Sequence, residues 1–342
     1  MVRELHCLVA EQLKSPQRTM PYATLKQVLD EARKGKYALG AFNVNNMEQV
    51  QAIVNAAVQT KSPVIIQCSR GAIKYSEGRY LKHLIDAALE LHPEIPIVLH
   101  LDHGDTLESA KQAIALGFTS VMIDASHFPY EENVRISKSV VDYAHPFGVS
   151  VEAEIGTIGG VEEDIRGEIL LTDADQAAKF VAETGVDALA VAIGTSHGAY
   201  KFKETPHLAI GIVQGISDKT QKPLVMHGSS SVPEEILDQI NKYGGKMPNA
   251  KGVPIDQIQQ AISHGVTKVN VDTDSRMAMT AAIRKIFVEE PQKFDLRDYL
   301  GPGRDAITKI TAEKMKAFGC AGHAGDYAVI SLDKAKKDYY KL

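Results

Sequence analysis

Three histidines, His103, His197 and His227, each end a short apolar run. A lone histidine in such a place is ordinarily a hydrogen-bonded structural residue. Three of them, at the ends of three different strands, point to a metal. A catalytic zinc commonly takes three protein ligands and leaves a position for substrate. Neutral imidazoles also leave the ion its full charge, and so a strong Lewis acid. The chain has twelve histidines; His6, His83, His92, His207 and His264 fall on predicted helices, near their ends or in the N-terminal stretch, where surface roles suit them.

Carboxylates accompany the three histidines. Asp102 adjoins His103, close enough to handle a substrate proton. Its other reading is orientation of a ligand histidine. Asp124 and Glu154 end neighbouring apolar runs and could hold a second or transient metal, or orient His103. Glu162, Glu163 and Asp164 follow a glycine-flanked stretch, 156–161. That stretch reads either as a mobile loop bringing a carboxylate to the site or as a solvated acidic loop. After His227 come Gly228, Ser229, Ser230 and Ser231, then Val232-Pro233-Glu234-Glu235, a helix start. Small residues there expose backbone N–H groups to an anion. A second phosphate could use Ser69 with Arg70-Gly71, and Arg276, since arginine suits fork-like phosphate recognition.

Eight short β-branched or apolar runs must position these groups: 37–44, 63–69, 95–102, 120–125, 150–155, 188–194, 223–227 and 268–272. Most are nearly continuous in apolar residues, as parallel strands covered on both faces are. Between them, stretches such as 47–60, 107–116, 132–144, 173–184, 234–243, 255–263 and 276–288 carry helical spacing. Thr106 and Thr172-Asp173 read as caps, and Gly117, Gly185 and Gly265 as stops. Strands alternating with helices predict a closed (β/α)8 barrel, with its active site at the C-terminal strand ends. A doubly wound open sheet is the competing fold, but no GxGxxG follows the first strand. The tail from Phe294 is predicted helical and packed outside the barrel. Residues 1–19 read as an extension outside a single domain spanning 20–342.

The composition agrees. The chain has 342 residues and a net charge of −5, with no basic excess calling for nucleic acid or an anionic membrane. A phosphorylated substrate would therefore need local positive charge from a metal, an arginine or backbone N–H groups. Three separated cysteines, Cys7, Cys68 and Cys320, support neither a disulfide framework nor a cysteine zinc site, and suit a reducing, cytoplasmic setting. No apolar run approaches the roughly 18 residues needed to span a bilayer.

The segments HLDHGD (100–105), SVMIDAS (120–126), VEAEIGTIGG (151–160), AIGTSHGAYK (192–201), VMHGSSSVPEE (225–235) and VNVDTDSRMA (269–278) together resemble class II fructose-1,6-bisphosphate aldolases. The likeness runs from about Pro21 to the C-terminus and includes FDLRDYLGPGRDAI (294–307), similar to the glycolytic branch of that family. It implies that His103, His197 and His227 hold a catalytic zinc and that Asp102 handles the C4 hydroxyl proton. It implies a secondary metal position at Asp124 and Glu154. Glu162 aligns with the glutamate that moves the C3 proton of dihydroxyacetone phosphate, with Glu163 the neighbouring alternative. Gly198, Gly228, Ser229, Ser230 and Asn270, Val271, Asp272 and Thr273 match the dihydroxyacetone-phosphate site. Asn43, Ser69, Arg276 and Asp295 are candidates for the other end of the sugar. The resemblance further implies a monovalent cation (Na+ or K+) near the first phosphate and a homodimer or larger homo-oligomer.

The residues argue for the metal route on their own account. Aldol cleavage leaves negative charge on a carbonyl carbon, and either a Schiff-base lysine or a metal stabilising the enediolate can accept it. None of the strand ends carrying polar residues offers a lysine. Lys268 begins the last predicted strand and is expected to face the opposite end of the barrel. Two other activities compete. A tagatose-1,6-bisphosphate aldolase differs in C4 stereochemistry. A zinc hydrolase on a barrel would activate water and need no paired phosphate loops.

Overall fold

The computed structural model describes residues 22–162, 165–167, 170–198, 206–248 and 250–342, with the backbone alone for 160–162 and 165–167. The expectation for residues 1–19 lies outside them.

Eight apolar segments form the barrel: β1 (Leu39–Asn43), β2 (Val64–Ser69), β3 (Ile97–Gly104), β4 (Ser120–Ile123), β5 (Ser150–Ile155), β6 (Ala188–Val191), β7 (Leu224–Met226) and β8 (Val266–Val271). Apart from the partly exposed Ser69, every residue of these strands is buried, because helices cover the outside and side chains fill the inside. Each strand runs parallel to the next in the chain, and β8 pairs with β1 (Ala41 opposite Asn270) to close the ring. This is the expected closed barrel, not the open sheet.

Helix starts follow local chemistry. Helix α1 (Leu25–Gly35) is capped by Thr24, and α2 (Met47–Thr60) by Asn46, which accepts from the Gln49 N–H at 3.0 Å. Thr106 and Ser109 cap each other reciprocally before the helix Leu107–Ala115. Later in the chain come α3 (Glu234–Lys242), α4 (Thr273–Glu289) and α5 (Leu296–Ala317). Helix α5 is the expected helical tail, and it packs on α2 and α4 outside the barrel.

Two departures from regularity matter to the site. The register between β3 and β4 breaks between Leu101 and Gly104, and His103 takes left-handed backbone with φ 48°. Irregularities of this kind re-aim a side chain. Gly104 makes the turn possible, since a Cβ there would stand 2.3 Å from the Met122 carbonyl oxygen. We expect Gly104→Ala to lower the unfolding midpoint, at a cost of about 1–3 kcal/mol typical of overpacking, and to reduce metal occupancy. Denaturant melts with metal analysis check both.

The second departure is a small sheet at the barrel mouth. The glycine-flanked stretch after β5, read from sequence as a loop, forms an antiparallel hairpin of Gly159–Glu162 with Ile165–Gly167. Its first strand also pairs with Ser196–His197. The hairpin is thus tied to the backbone of a predicted ligand.

Candidate active site

His103, His197 and His227 converge at the C-terminal mouth of the barrel from β3, from the segment after β6, and from the residue following β7. One ligand atom from each lies within 4.8 Å of the other two. The rings stand nearly perpendicular, with centroid separations of 5.1, 4.8 and 6.2 Å. His227 Nδ1 and His103 Nε2 are 3.1 Å apart. A tetrahedral ion at about 2.0–2.1 Å from each nitrogen would set them roughly 3.3 Å apart, so this pair stands near zinc spacing and the third imidazole lies within reach of it. Burial holds the His227 imidazole below its ordinary pKa, which favours the neutral form that ligates.

The carboxylates divide the work of holding these rings. Asp124 Oδ2 lies 3.6 Å from His103 Nδ1. Burial pushes the Asp124 carboxyl up, but His103 and Ser126 outweigh it and hold the group well below the usual carboxylate range. Glu154 goes the other way: burial and the nearby Asp124 push it well above its ordinary value. The Ser126 hydroxyl lies 2.7 Å from Asp124 and 3.3 Å from Glu154. Asp124 thus faces His103 at ion-pair rather than hydrogen-bond distance. Arg70 braces the same histidine from outside, donating to the His103 carbonyl at 3.3 Å while pairing with Asp105 at 2.7 Å.

Asp102 is 1% exposed and is the shared acceptor of three amides. Asn43 donates at 2.8 Å, Gln67 at 3.1 Å and Asn270 at 3.2 Å. Gln67 also donates to Asn43 at 2.6 Å. Asn43, a candidate for the far end of the sugar, thus sits beside Asp102. Gln67 was missed by sequence reasoning. Its signal was a polar residue inside an apolar strand, in register with His100 and two before Ser69. Among the described residues, Gln67 Oε1 and Asn270 Oδ1 are buried acceptors without a hydrogen-bond partner.

A second set was also missed. Glu152, fully buried on β5, lies 2.8 Å from His227 Nε2 and 3.0 Å from Lys268 Nζ. Burial pushes the Glu152 carboxyl up, but Lys268 and His227 outweigh it and hold it low. His100 lies 3.5 Å from Glu152, and burial takes its imidazole down to about 3. Lys268 therefore does not face the opposite end of the barrel. The strand begins two residues earlier, at Val266, and the ammonium reaches the barrel axis beneath His227.

The remaining predicted residues are placed as follows. Gly228 takes φ 60°, and a Cβ there would meet the Ser196 carbonyl oxygen at 2.6 Å, so the loop after β7 lies against the segment carrying His197. Gly198 takes φ 93°. The Ser229 hydroxyl donates to the His227 carbonyl at 2.9 Å, and the Asp272 N–H donates to the Ser230 hydroxyl at 3.3 Å. Val271 ends β8, Asp272 precedes α4, and Thr273 begins it. Arg276 donates to Asp272 at 2.8 Å. The Ser69 hydroxyl caps the short helix Arg70–Tyr75. Asp295 caps α5 and pairs with Arg297, apart from this network. The Glu162 side chain and all of Glu163 lie outside the described residues.

Comparison with known proteins agrees with this geometry. The family model described as "Fructose-bisphosphate aldolase class-II" matches residues 23–323. A fructose-bisphosphate aldolase of Giardia intestinalis is 69% identical, covering 94% of this chain and all of the relative. One from Nostoc commune is 47% identical over 94% of this chain and 96% of its own. Among solved structures, the YdjI aldolase of Escherichia coli K12 superposes with a TM-score of 0.73 at 33% identity, covering 89% of this chain and 99% of that one. This chain belongs to the class-II fructose-bisphosphate aldolase family.

Proposed function

We infer that this chain catalyses the reversible cleavage of D-fructose 1,6-bisphosphate to dihydroxyacetone phosphate and D-glyceraldehyde 3-phosphate. The observation that carries this reading is the convergence of three imidazoles beside one amide-bound aspartate, in a chain whose relatives are named for that reaction. His103, His197 and His227 would hold the zinc. Bound there, the ion would supply the electron sink, since Lys268, which reaches beneath His227, is held in a buried pair with Glu152.

The chain's own groups do the rest. Asp102 takes and returns the C4 hydroxyl proton. Asn43, Gln67 and Asn270 hold its carboxylate in place from three strands, β1, β2 and β8. The unpartnered Asn270 and Gln67 oxygens suit substrate hydroxyls, since a buried acceptor is costly unless paired. Glu162, or its neighbour Glu163, moves the C3 proton. The dihydroxyacetone-phosphate group lies against Gly198, Gly228, Ser229, Ser230 and Asn270 to Thr273, where the N-terminus of α4 adds a favourable dipole. Ser69 and Arg276 serve the other end of the sugar, Arg276 being already oriented by Asp272, while Asp295, held at the α5 cap by Arg297, has no contact among the described residues that supports such a role. Asp124 and Glu154 offer a secondary metal position. A monovalent cation beside the phosphate, a homodimer or larger assembly, and a cytoplasmic place in glycolysis complete the reading. No described helix is long and apolar enough to cross a membrane.

One assay tests the activity, the metal and the substrate. The protein is given fructose or tagatose 1,6-bisphosphate, and dihydroxyacetone phosphate is measured before chelation, after it, and after zinc is restored. We expect cleavage that is faster on the fructose isomer, lost on chelation and recovered with zinc. Equal or faster tagatose cleavage would reassign the substrate. Turnover persisting without metal would sink the mechanism, and release of inorganic phosphate alone would favour a hydrolase.

A further inference from the structure

The loop after β7 has fewer amides to offer a ligand than its small residues suggest. Asp274, completely buried in the first turn of α4, accepts the Ser231 N–H at 2.9 Å and the Val232 N–H at 2.7 Å. These two bonds hold Val232 in left-handed backbone at φ 49°, a strained conformation for a β-branched residue. The Val232 side chain is buried in a small apolar cluster with Ile240, Met277 and Ala281, which fixes the loop to α3 and α4. From behind, Val253 N–H donates to the Ser230 carbonyl at 3.0 Å. Gly252 permits that approach, since a Cβ there would stand 2.3 Å from the same carbonyl oxygen. Among the described residues, the amides of Ser229 and Ser230 make no hydrogen bond, and they are the ones left for an anion.

This arrangement sets a problem of charge. The carboxylate that shapes the loop lies directly behind a surface meant to receive a phosphate dianion, and buried like charges repel strongly. Its counter-charge comes from a distant part of the chain. Lys314, on α5 outside the barrel, has a side chain only 7% exposed. Its Nζ lies 2.9 Å from Asp274 Oδ2 and also donates to the Ser231 hydroxyl.

We propose that Lys314 is a positioning residue for the substrate phosphate: paired with Asp274, it neutralises the carboxylate that shapes the loop, so that Ser229 and Ser230 meet the phosphate with no net negative charge behind them. The proposal rests on the reading of this loop as a phosphate site. It gives the C-terminal helix a share in substrate binding although it supplies no atom that touches substrate.

The test uses the full-length zinc enzyme, with inorganic phosphate as competitive probe. In Lys314→Met we expect the KM for the bisphosphate and the Ki for phosphate each to rise about tenfold, with kcat within about threefold and zinc content unchanged. Lys314→Arg should restore both constants. The double variant Asp274→Asn/Lys314→Met removes both charges while keeping one acceptor oxygen toward the loop, and should bind phosphate more tightly than Lys314→Met alone. If the single variant does not fold, the double variant is read against the parent, whose competition by phosphate it should keep. Competition by phosphate in the parent with an unchanged Ki in Lys314→Met would overturn the proposal alone. Absence of competition in the parent would overturn the phosphate-site reading and the proposal with it. A fall in kcat at constant KM, or phosphate binding in the double variant no tighter than in Lys314→Met, would assign the effect to lost loop shape and overturn the role given to charge.

Discussion

Asp102→Ala is expected to keep its zinc and lose turnover, whereas His103→Ala loses both. The two residues are adjacent, and the expected results differ because their surroundings differ. His103 faces His227 at 3.1 Å and ends a strand whose backbone is bent to aim it there. Removing one of three imidazoles leaves a two-ligand site. Asp102 faces Asn43, Gln67 and Asn270, with its nearest carboxylate oxygen 4.0 Å from His103 Nε2. Its loss leaves the three imidazoles in place. General acid–base groups typically contribute about 10²–10⁴-fold, so kcat should fall by that factor with KM little changed. Metal analysis of the purified variants, followed by steady-state kinetics, separates the two outcomes. Near-full activity in Asp102→Ala would move the proton role elsewhere. Zinc loss in Asp102→Ala would make the residue chiefly a support for His103.

The elements were legible in sequence where local chemistry decides. Met47–Thr60 and Ile255–Ser263 have the boundaries their apolar spacing predicts, and Thr106 and Asp173 cap where their side chains can reach the first-turn N–H groups. The convergence of the three histidines was legible because each lies at or just beyond the end of an apolar run, and strand ends of a barrel share one mouth. The interior network was not. Glu152 and Lys268 lie 116 residues apart, and His100 belongs to a third strand. Nothing in any of the three strands signals the others until the ring closes. Lys268 was also misplaced for a simple reason: a two-residue error in where its strand begins reverses the end of the barrel a long side chain is expected to reach. The loop after β7 was found by its composition but misread in detail. Composition counts N–H groups without showing that Asp274 has already taken two of them.

The hairpin after β5 belongs to the same class of miss. Its glycines read as freedom, yet Gly159 and Gly160 pair with Ser196 and His197, an edge that exists only once the segment after β6 is in place. This pairing joins the backbone of the strand bearing Glu162 to that of His197.

Lys268→Met should be the most damaging single change away from the ligands themselves. Lys268 and Glu152 are both fully buried, with Nζ and Oε2 3.0 Å apart. Removing one partner of such a pair typically costs about 3–5 kcal/mol, because a buried charge is left without its counter-charge. The abandoned carboxylate is also the group that holds His227 Nε2, at 2.8 Å. Such outer partners of a ligand histidine are typically worth about 10–100-fold in metal affinity or activity. Lys268→Met should therefore unfold at markedly lower denaturant and bind zinc more weakly. A change of size alone predicts something different, and a double variant distinguishes them. Lys268→Met/Glu152→Gln has no buried charge at this place and keeps a side-chain amide against His227. If the charge pair is the cause, the double variant should recover most of the stability lost in the single one, a coupling well above the few tenths of a kcal/mol expected of independent sites. If the two losses simply add, the pair is not what joins β8 to β5 beneath the metal, and the cost of Lys268→Met lies in packing.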